Sequence, residues 1–243
     1  MMNKNLQTQE LAIAITAKNL NPNILNLDFL TYSNIISPEW KLARQPIYTK
    51  NFTQLVFQSG IVIVAQPDRI VFAETIETED IQELQISKVA GNYIEKLPNV
   101  EYKAVGINPK GFVTFTDLNG ASNYLLNHLL ASGEWREFGQ KPVKAAIQLA
   151  YTLESSQFNL TINEGLLKVS ADKSLPAVLF SGNFDYKISS NKPETRLKDL
   201  HLILDNWKNN LETYKQLIND KFLSSFAEGK NLIPFGVPIS PSV

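Results

Sequence analysis

The sequence contains no cysteine, which excludes disulfide bonds, thiolate catalysis and cysteine-ligated zinc or iron–sulfur sites. It has only two histidines, His128 and His201, which are too far apart in sequence to predict a histidine-based metal site. The net charge of −1 supplies no overall field that would attract nucleic acid or an anionic membrane. We therefore expect no metal, no cofactor and no nucleic-acid partner.

Targeting and membrane-spanning signals are also missing from the sequence. No apolar run approaches the ~18 residues that a membrane span requires. The polar start MMNKNLQTQE lacks the apolar segment of a signal peptide. These absences predict a cytoplasmic protein, and 243 residues are enough for a well-buried core.

Nucleotide-binding motifs are absent as well, although GINPKGFVTFTDLNG, residues 106–120, has two glycines around a lysine. A phosphate-binding loop needs its lysine after the second glycine, whereas Lys110 precedes Gly111 and a strand-like run follows. The composition of residues 108–111, with proline second and glycine last, instead predicts a turn between two strands. No GxGxxG fingerprint or GxSxG elbow occurs in the chain.

Hydrophobic patterning predicts an α+β protein built on antiparallel sheet. A strand at LAIAITA is followed by a long connection, the strand-like segments TQLVFQ, IVIVAQ and RIVFAETI, and a helix from about Glu79 with Thr78 as its N-cap. The strand-like segments EYKAVGI and GFVTF, a short helix at ASNYLLNHLLAS and four more strand-like runs precede a long C-terminal helix. The recurring order predicts one globular unit of two sheet-plus-helix halves, about 11–107 and 112–226, which share an origin by duplication or resemble each other by chance.

The long helix, expected over Glu194–Phe226, has the clearest pattern in the chain. Its apolar residues alternate by three and four positions, and are Leu197, Leu200, Leu204, Trp207, Leu211, Tyr214 and Ile218. Such a stripe either packs on the sheet of its own chain or forms a coiled-coil seam between subunits. The two aromatics favour the sheet, because they are bulky for a narrow seam.

Catalytic constellations are weak in this sequence. His201 has Asp205 one turn later, but such pairs are routine on exposed helix faces, and no nucleophile is identified nearby. His128 is more typical of a packed side chain than of a catalytic base. The acidic run Glu74, Glu77, Glu79, Asp80 and Glu83 would bind a divalent ion only if its carboxylates converged, and a solvated helix start is the simpler interpretation.

Two segments are predicted to be recognition surfaces. The connection 19–51 carries the candidate interface residues Trp40, Arg44 and Tyr48, since aromatic and arginine side chains are common interface anchors. The C-terminal tail 227–243 is expected to be extended, and it ends in the apolar segment NLIPFGVPISPSV. Each segment either packs on the core or binds a partner.

The blocks SPEWKLARQPIYT, VFQSGIVIVAQPDRIVFAE and YKAVGINPKGFVTF resemble an uncharacterised family of bacterial, cyanobacterial-type proteins. The family has no assigned activity, so the resemblance implies no catalytic residue and suggests only a bacterial intracellular protein.

The sequence thus predicts a non-catalytic protein–protein interaction or accessory protein, with self-association or a protein partner. The alternative is a cup gripped by the long helix that binds a small apolar ligand. The candidate lining residues of that cup are Phe112, Phe115, Phe180, Phe184 and Trp207.

Overall fold

The computed structural model describes residues 5–76, 84–170 and 173–224. They form one antiparallel sheet with helices packed on one of its faces, which confirms the predicted α+β class. The nine strands are β1 Gln7–Lys18, β2 Ile47–Thr49, β3 Phe52–Val56, β4 Ile61–Gln66, β5 Arg69–Thr75, β6 Glu101–Thr114, β7 Ala146–Thr152, β8 Gln157–Ser170 and β9 Lys173–Lys187.

Five α-helices are present in the described ranges: α1 Leu27–Tyr32, α2 Ile86–Lys96, α3 Gly120–Asn123, α4 Pro193–Asp205 and α5 Trp207–Leu217. Short 3-10 turns occur at Pro22–Ile24 and Glu134–Glu137, and π-helical turns at Tyr124–Leu129 and Ile218–Leu223. No helix in the described ranges combines the length and apolar character needed to cross a membrane.

The strand order is β2-β3-β4-β5-β1-β6-β9-β8-β7. The strands β1 and β6 lie side by side at the centre of the sheet, and β6 spans the boundary between the predicted halves 11–107 and 112–226. The strands β2 to β5 run from one outer edge of the sheet to its centre, and α2 follows them. The strands β7 to β9 run from the other edge to the centre, and α4 follows them. This order is compatible with the predicted halves, whose origin by duplication stays a prediction.

The core lies between the sheet and the helices, and strand alternation shows why. In β4, Ile61, Ile63 and Ala65 are buried, while Val62 and Val64 on the opposite face are partly exposed. The buried set joins one cluster with Ile86, Val89 and Ile94 of α2 and with the C-terminal helices. One contiguous core therefore holds both halves together.

The C-terminal helical region packs on this core, as expected, but it is not one continuous helix. The chain turns at Asn206, which has φ −80° and ψ 3°, between α4 and α5. Six residues of the predicted stripe are buried, and Leu197 is partly buried against them. The stripe is therefore an intramolecular packing surface, and the alternative of a coiled-coil seam between subunits is wrong.

The turn predicted at residues 108–111 is also wrong, because β6 runs through it without a break. Pro109 lacks the N–H that a central strand uses in its ladder. The ladder to β9 pairs Ile107 and Lys110 but omits the two residues between them. The Asn108 side chain donates instead to the carbonyl of Ala12, at 3.3 Å. Likewise, the second and third of the four strand-like runs predicted before the C-terminal helix, QFNLTI and LLKVSA, belong to one strand, β8.

The predicted start of the first helix, with Thr78 and the acidic residues of 77–83, lies outside the described residues, as does the tail 227–243. Within the described residues, α2 begins at Ile86, and a side chain of β5 caps its N-terminus. The Glu74 carboxylate accepts hydrogen bonds from the backbone N–H groups of Gln85 and Ile86, at 2.7 and 3.0 Å. Burial raises the pKa of this carboxyl, and the two hydrogen bonds oppose the shift.

Candidate functional site

The face of the sheet opposite the helices, here called the open face, is the most extensive candidate site. Its residues alternate along each strand with those that enter the core, so the register identifies them without ambiguity. One row, linked by the register, crosses eight strands and illustrates the surface. It comprises Val56, Val62, Ala73, Ala12, Asn108, Asn183, Asn159 and Ala150.

The half of the open face formed by β2 to β1 is largely apolar. Ile47 on the edge strand is 44% exposed, and the valines and phenylalanine behind it are partly exposed. Thr49 of β2 and Gln54 of β3 are polar residues on this surface. We call it the apolar half, and its residues are Ile47, Phe52, Val56, Val62, Val64, Val71, Ala73, Ala12 and Ala14.

The half formed by β6 to β7 is polar along its middle, and its charged residues include Lys110, opposite Ser181, and Asp185, opposite Gly106. Asn108 and Asn183 converge over Gly106, where an added Cβ would lie 3.3 Å from one side-chain atom of each. The Asn183 Oδ1 atom is buried and accepts no hydrogen bond in the structure. We call this surface the amide half, and its residues are Asn108, Asn159, Asn183, Thr161, Ser181 and Gln148.

Charged residues flank the row from Val56 to Ala150 on both sides, toward the two ends of the central strand β1. At one end Lys110 pairs with Glu10 at 2.7 Å. At the other end Glu101 pairs with Lys18 at 3.1 Å and also with Lys103. Asp185, next to the Asn183 row, is a further charge on the open face, so on the amide half the uncharged strip is the single row through Asn108, Asn183 and Asn159.

The three predicted interface residues do not form one surface. Arg44 is exposed, and its Nη2 lies 3.3 Å from Oε1 of Gln54 at the rim of the open face. Tyr48 is half exposed, but the alternation of β2 directs it to the helix-covered side, where partial burial and the negative charge of Asp28 raise the pKa of its hydroxyl. Trp40 is partly buried against the core, with its ring centroid 5.2 Å from that of Phe57.

The five predicted cup residues do not line one cavity. Phe112 pairs with Leu179, so it lies on the opposite face from Phe180 and belongs to a separate small cluster. The other four are packed in the main core. Phe184 stacks on Phe158 at 4.2 Å, and the Phe180 carbonyl accepts a 2.8 Å hydrogen bond from the Tyr214 hydroxyl. These side chains fill the space between sheet and helices.

A second candidate site is a cleft of about 360 Å³ between α2 and the C-terminal helices. The His201 Nε2 atom lies 3.3 Å from Oε1 of Glu95, so the partner of this histidine is on α2 rather than the predicted Asp205. The Ser87 hydroxyl donates to the Leu204 carbonyl at 3.0 Å and is not bonded to the imidazole. The cleft also includes Lys88, Asn92, Asp205, Trp207 and Lys208.

The predicted acidic run is represented by Glu74 alone in the described ranges, where its carboxylate caps α2. Across residues 5–76, 84–170 and 173–224, no three histidine, aspartate or glutamate side chains are grouped so as to hold a metal ion. His128 lies in the first π-helical turn, with its ring 5.4 Å from that of Tyr124.

No protein-family model and no curated protein sequence matches this chain. The resemblance to an uncharacterised bacterial family therefore stays a prediction, and the function must be argued from the site itself.

Sequence reasoning missed the open face, although a signal for it was present. An antiparallel strand with one solvated face normally alternates apolar and polar residues. The segments IVIVAQ and RIVFAETI are instead apolar at both alternations, which indicates a second apolar surface on these strands.

Proposed function

We propose that this protein is a non-catalytic interaction protein and that its open face binds the surface of another protein. The observation that carries the proposal is the uncharged central strip that crosses eight strands, apolar on one half and amide-rich on the other. Depletion of charge at the centre with polar groups at the rim is the compositional signature of a protein interface.

The dimensions of the open face support a protein as the partner. With about 4.8 Å between strands and 3.4 Å per residue, eight strands with five residues each cover roughly 650 Å². A standard protein–protein interface covers roughly 800 Å² on each partner. A drug-sized ligand would occupy only a fraction of this area.

The charges argue for the chemistry of that partner. Lys18 and Lys110 are paired with carboxylates of the same chain. Their positive charges are therefore already balanced, which disfavours a phosphate-bearing partner such as nucleic acid. The complementary partner surface is therefore apolar beside the valines, with amide or hydroxyl groups beside Asn108 and Asn183. The exposed Arg44 at the rim is placed to contribute a polar contact.

A capture experiment with matched variants tests this proposal. Val62→Asp puts a carboxylate between Val56 and Ala73 at the centre of the apolar half. Leu166→Asp makes the equivalent change on a strand, at a side chain that is 76% exposed and alternates away from the open face. Tagged wild-type protein and both variants are incubated with native lysate, and bound proteins are quantified by mass spectrometry.

The proposal expects the same protein to bind the wild type and Leu166→Asp, and at least tenfold less of it to bind Val62→Asp. A buried unpaired carboxylate costs about 3 kcal/mol or more in an interface, which is roughly a hundredfold in affinity. Equal capture by all three folded proteins, or equal loss in both variants, would contradict the proposal.

A further inference from the structure

The outer edge of the sheet at β7 carries an inference that is independent of the open-face partner. In the described chain, the strand pairs only with β8. Its sequence AIQLAYT contains no charge, no proline and no glycine. Edge strands in stable monomers are normally protected by charges, proline, bulges or short length, because unpaired N–H and C=O groups recruit another strand.

The opposite edge of the same sheet has this protection. β2 is only three residues long, and Pro46 stands immediately before it. Lys50 follows β2 directly, whereas the charges nearest to β7, Lys144 and Glu154, stand two residues beyond its ends. The contrast between the two edges identifies β7 as the edge that is built to accept a strand.

The hydrogen-bond pattern shows which groups of β7 are open. Leu153 donates to the Ser156 carbonyl at 2.9 Å, which closes the hairpin with β8 as a hydrogen-bonded pair. Alternation along the ladder then turns the N–H groups of Ile147, Leu149 and Tyr151 toward β8. The N–H groups of the intervening residues point outward, and these residues are Ala146, Gln148, Ala150 and Thr152.

We propose that β7 pairs antiparallel with β7 of a second copy of this chain, around a two-fold axis at Leu149. Leu149 is the middle of the seven residues, so this register uses the whole strand. The two copies would exchange about eight backbone hydrogen bonds. Leu149 would face Leu149, and Ile147 would face Tyr151, which extends the partly buried apolar row of the helix-covered side.

Charge complementarity beyond the strand ends supports the same register. Counting outward from the axis, Lys144 of one copy lies opposite Glu154 of the other, on both sides of the two-fold. Both residues are exposed, and the Lys144 ammonium is 3.6 Å from Glu164 of its own chain. No pair of like charges is brought together between residues 144 and 154.

The geometry of such a dimer has a consequence for binding. An in-register antiparallel pair about a two-fold places both sets of helices on the same side of one continuous eighteen-stranded sheet. Both open faces then lie on the other side. The dimer would present two equivalent copies of the surface described above, side by side.

Because the chain lacks cysteine, cross-linking can test the register cleanly. Leu149→Cys would bring two thiols together at a non-hydrogen-bonded pair, where the Cα separation suits a disulfide. Leu166→Cys places an exposed thiol elsewhere on the chain as the control. On mild oxidation, most of Leu149→Cys is expected to become a covalent dimer, with little dimer from Leu166→Cys.

Mass measurements complete the test. Light scattering is expected to give twice the 27.3 kDa chain mass for the wild type, measured at roughly 50 µM to allow for mass action. Ala150→Pro removes an outward N–H and leaves the β8 ladder intact, so it should give the mass of one chain, whereas Ala150→Thr should stay dimeric.

A monomeric wild type would overturn the proposal, as would a dimer that persists in folded Ala150→Pro. If Ala150→Pro does not fold, the cross-link decides, and equal cross-linking of both cysteine variants refutes the register. Val62→Asp is expected to lose the open-face partner without a change in mass, and the Leu149→Cys cross-link lies on the helix-covered side, so the two proposals fail separately.

Discussion

A buried polar pair between the sheet and α5 gives the sharpest test of how the helices are fixed on the sheet. The Tyr186 hydroxyl of β9 donates a 2.8 Å hydrogen bond to Oδ1 of Asn210, and both side chains are buried. The Asn210 Nδ2 atom is buried and has no hydrogen-bond partner in the structure. The pair therefore contributes one good hydrogen bond and contains one unsatisfied donor.

The perturbation is a double-mutant cycle with Tyr186→Phe and Asn210→Leu. Tyr186→Phe leaves the asparagine oxygen buried without a donor, and Asn210→Leu leaves the tyrosine hydroxyl without an acceptor. Each single change is expected to destabilise the protein by about 1–3 kcal/mol. The double variant leaves no unsatisfied group of this pair and should cost less than about 1 kcal/mol.

Urea denaturation measures these free energies, and thermal melts provide a check, since about 1 kcal/mol corresponds to roughly 2–4 °C in a chain of this length. Tyr48→Phe is the matched control, because its side chain is half exposed on the edge strand. A double variant as unstable as the sum of the singles, within about 0.5 kcal/mol, would refute this reasoning.

Three further predictions concern packing and pH. Trp40→Ala should lower stability by about 1–2 kcal/mol in urea denaturation, because the ring packs edge-on against Phe57; an unchanged midpoint would mean that Trp40 is free for a partner. Burial raises the pKa of Glu74 above 4.5, so the folded state binds this proton more tightly than the unfolded state, and the free energy of unfolding should fall as the pH rises above 4.5. Glu74→Gln should remove this pH dependence. A pH profile of the variant parallel to that of the wild type would contradict the prediction. Burial raises the pKa of Tyr93 from 10.0 to about 12, so stability should fall between these two pH values; Tyr93→Phe should flatten the fall, and an unchanged alkaline melt would count against the assignment.

Local patterns predicted much of the fold. The strands β3, β4 and β5 follow from short runs rich in apolar and β-branched residues that turn residues separate, and the C-terminal helices follow from the stripe that includes Leu200, Leu204 and Leu211. The break at Asn206 was not predicted, because the apolar spacing continues across it without a proline or glycine.

Other features depend on contacts that a local pattern does not contain. Residues 108–111 have turn composition, yet the flanking strands β1 and β9 hold them extended. Phe112 was grouped with core phenylalanines by residue type, whereas its face is set by the register with β9. The exposed edge at β7 follows from the strand order, which sequence spacing alone does not determine.

Site-specific photo-cross-linking tests the central claim, that the open face binds a protein, most directly. A benzoylphenylalanine placed at Val62 samples the middle of the apolar half, and the same group at Leu166 samples an exposed strand position off the open face. After irradiation in native lysate, the account predicts one defined cross-linked protein band from position 62 that position 166 does not give. The same bands from both positions, or none from position 62 while the partner still co-purifies, would contradict the account.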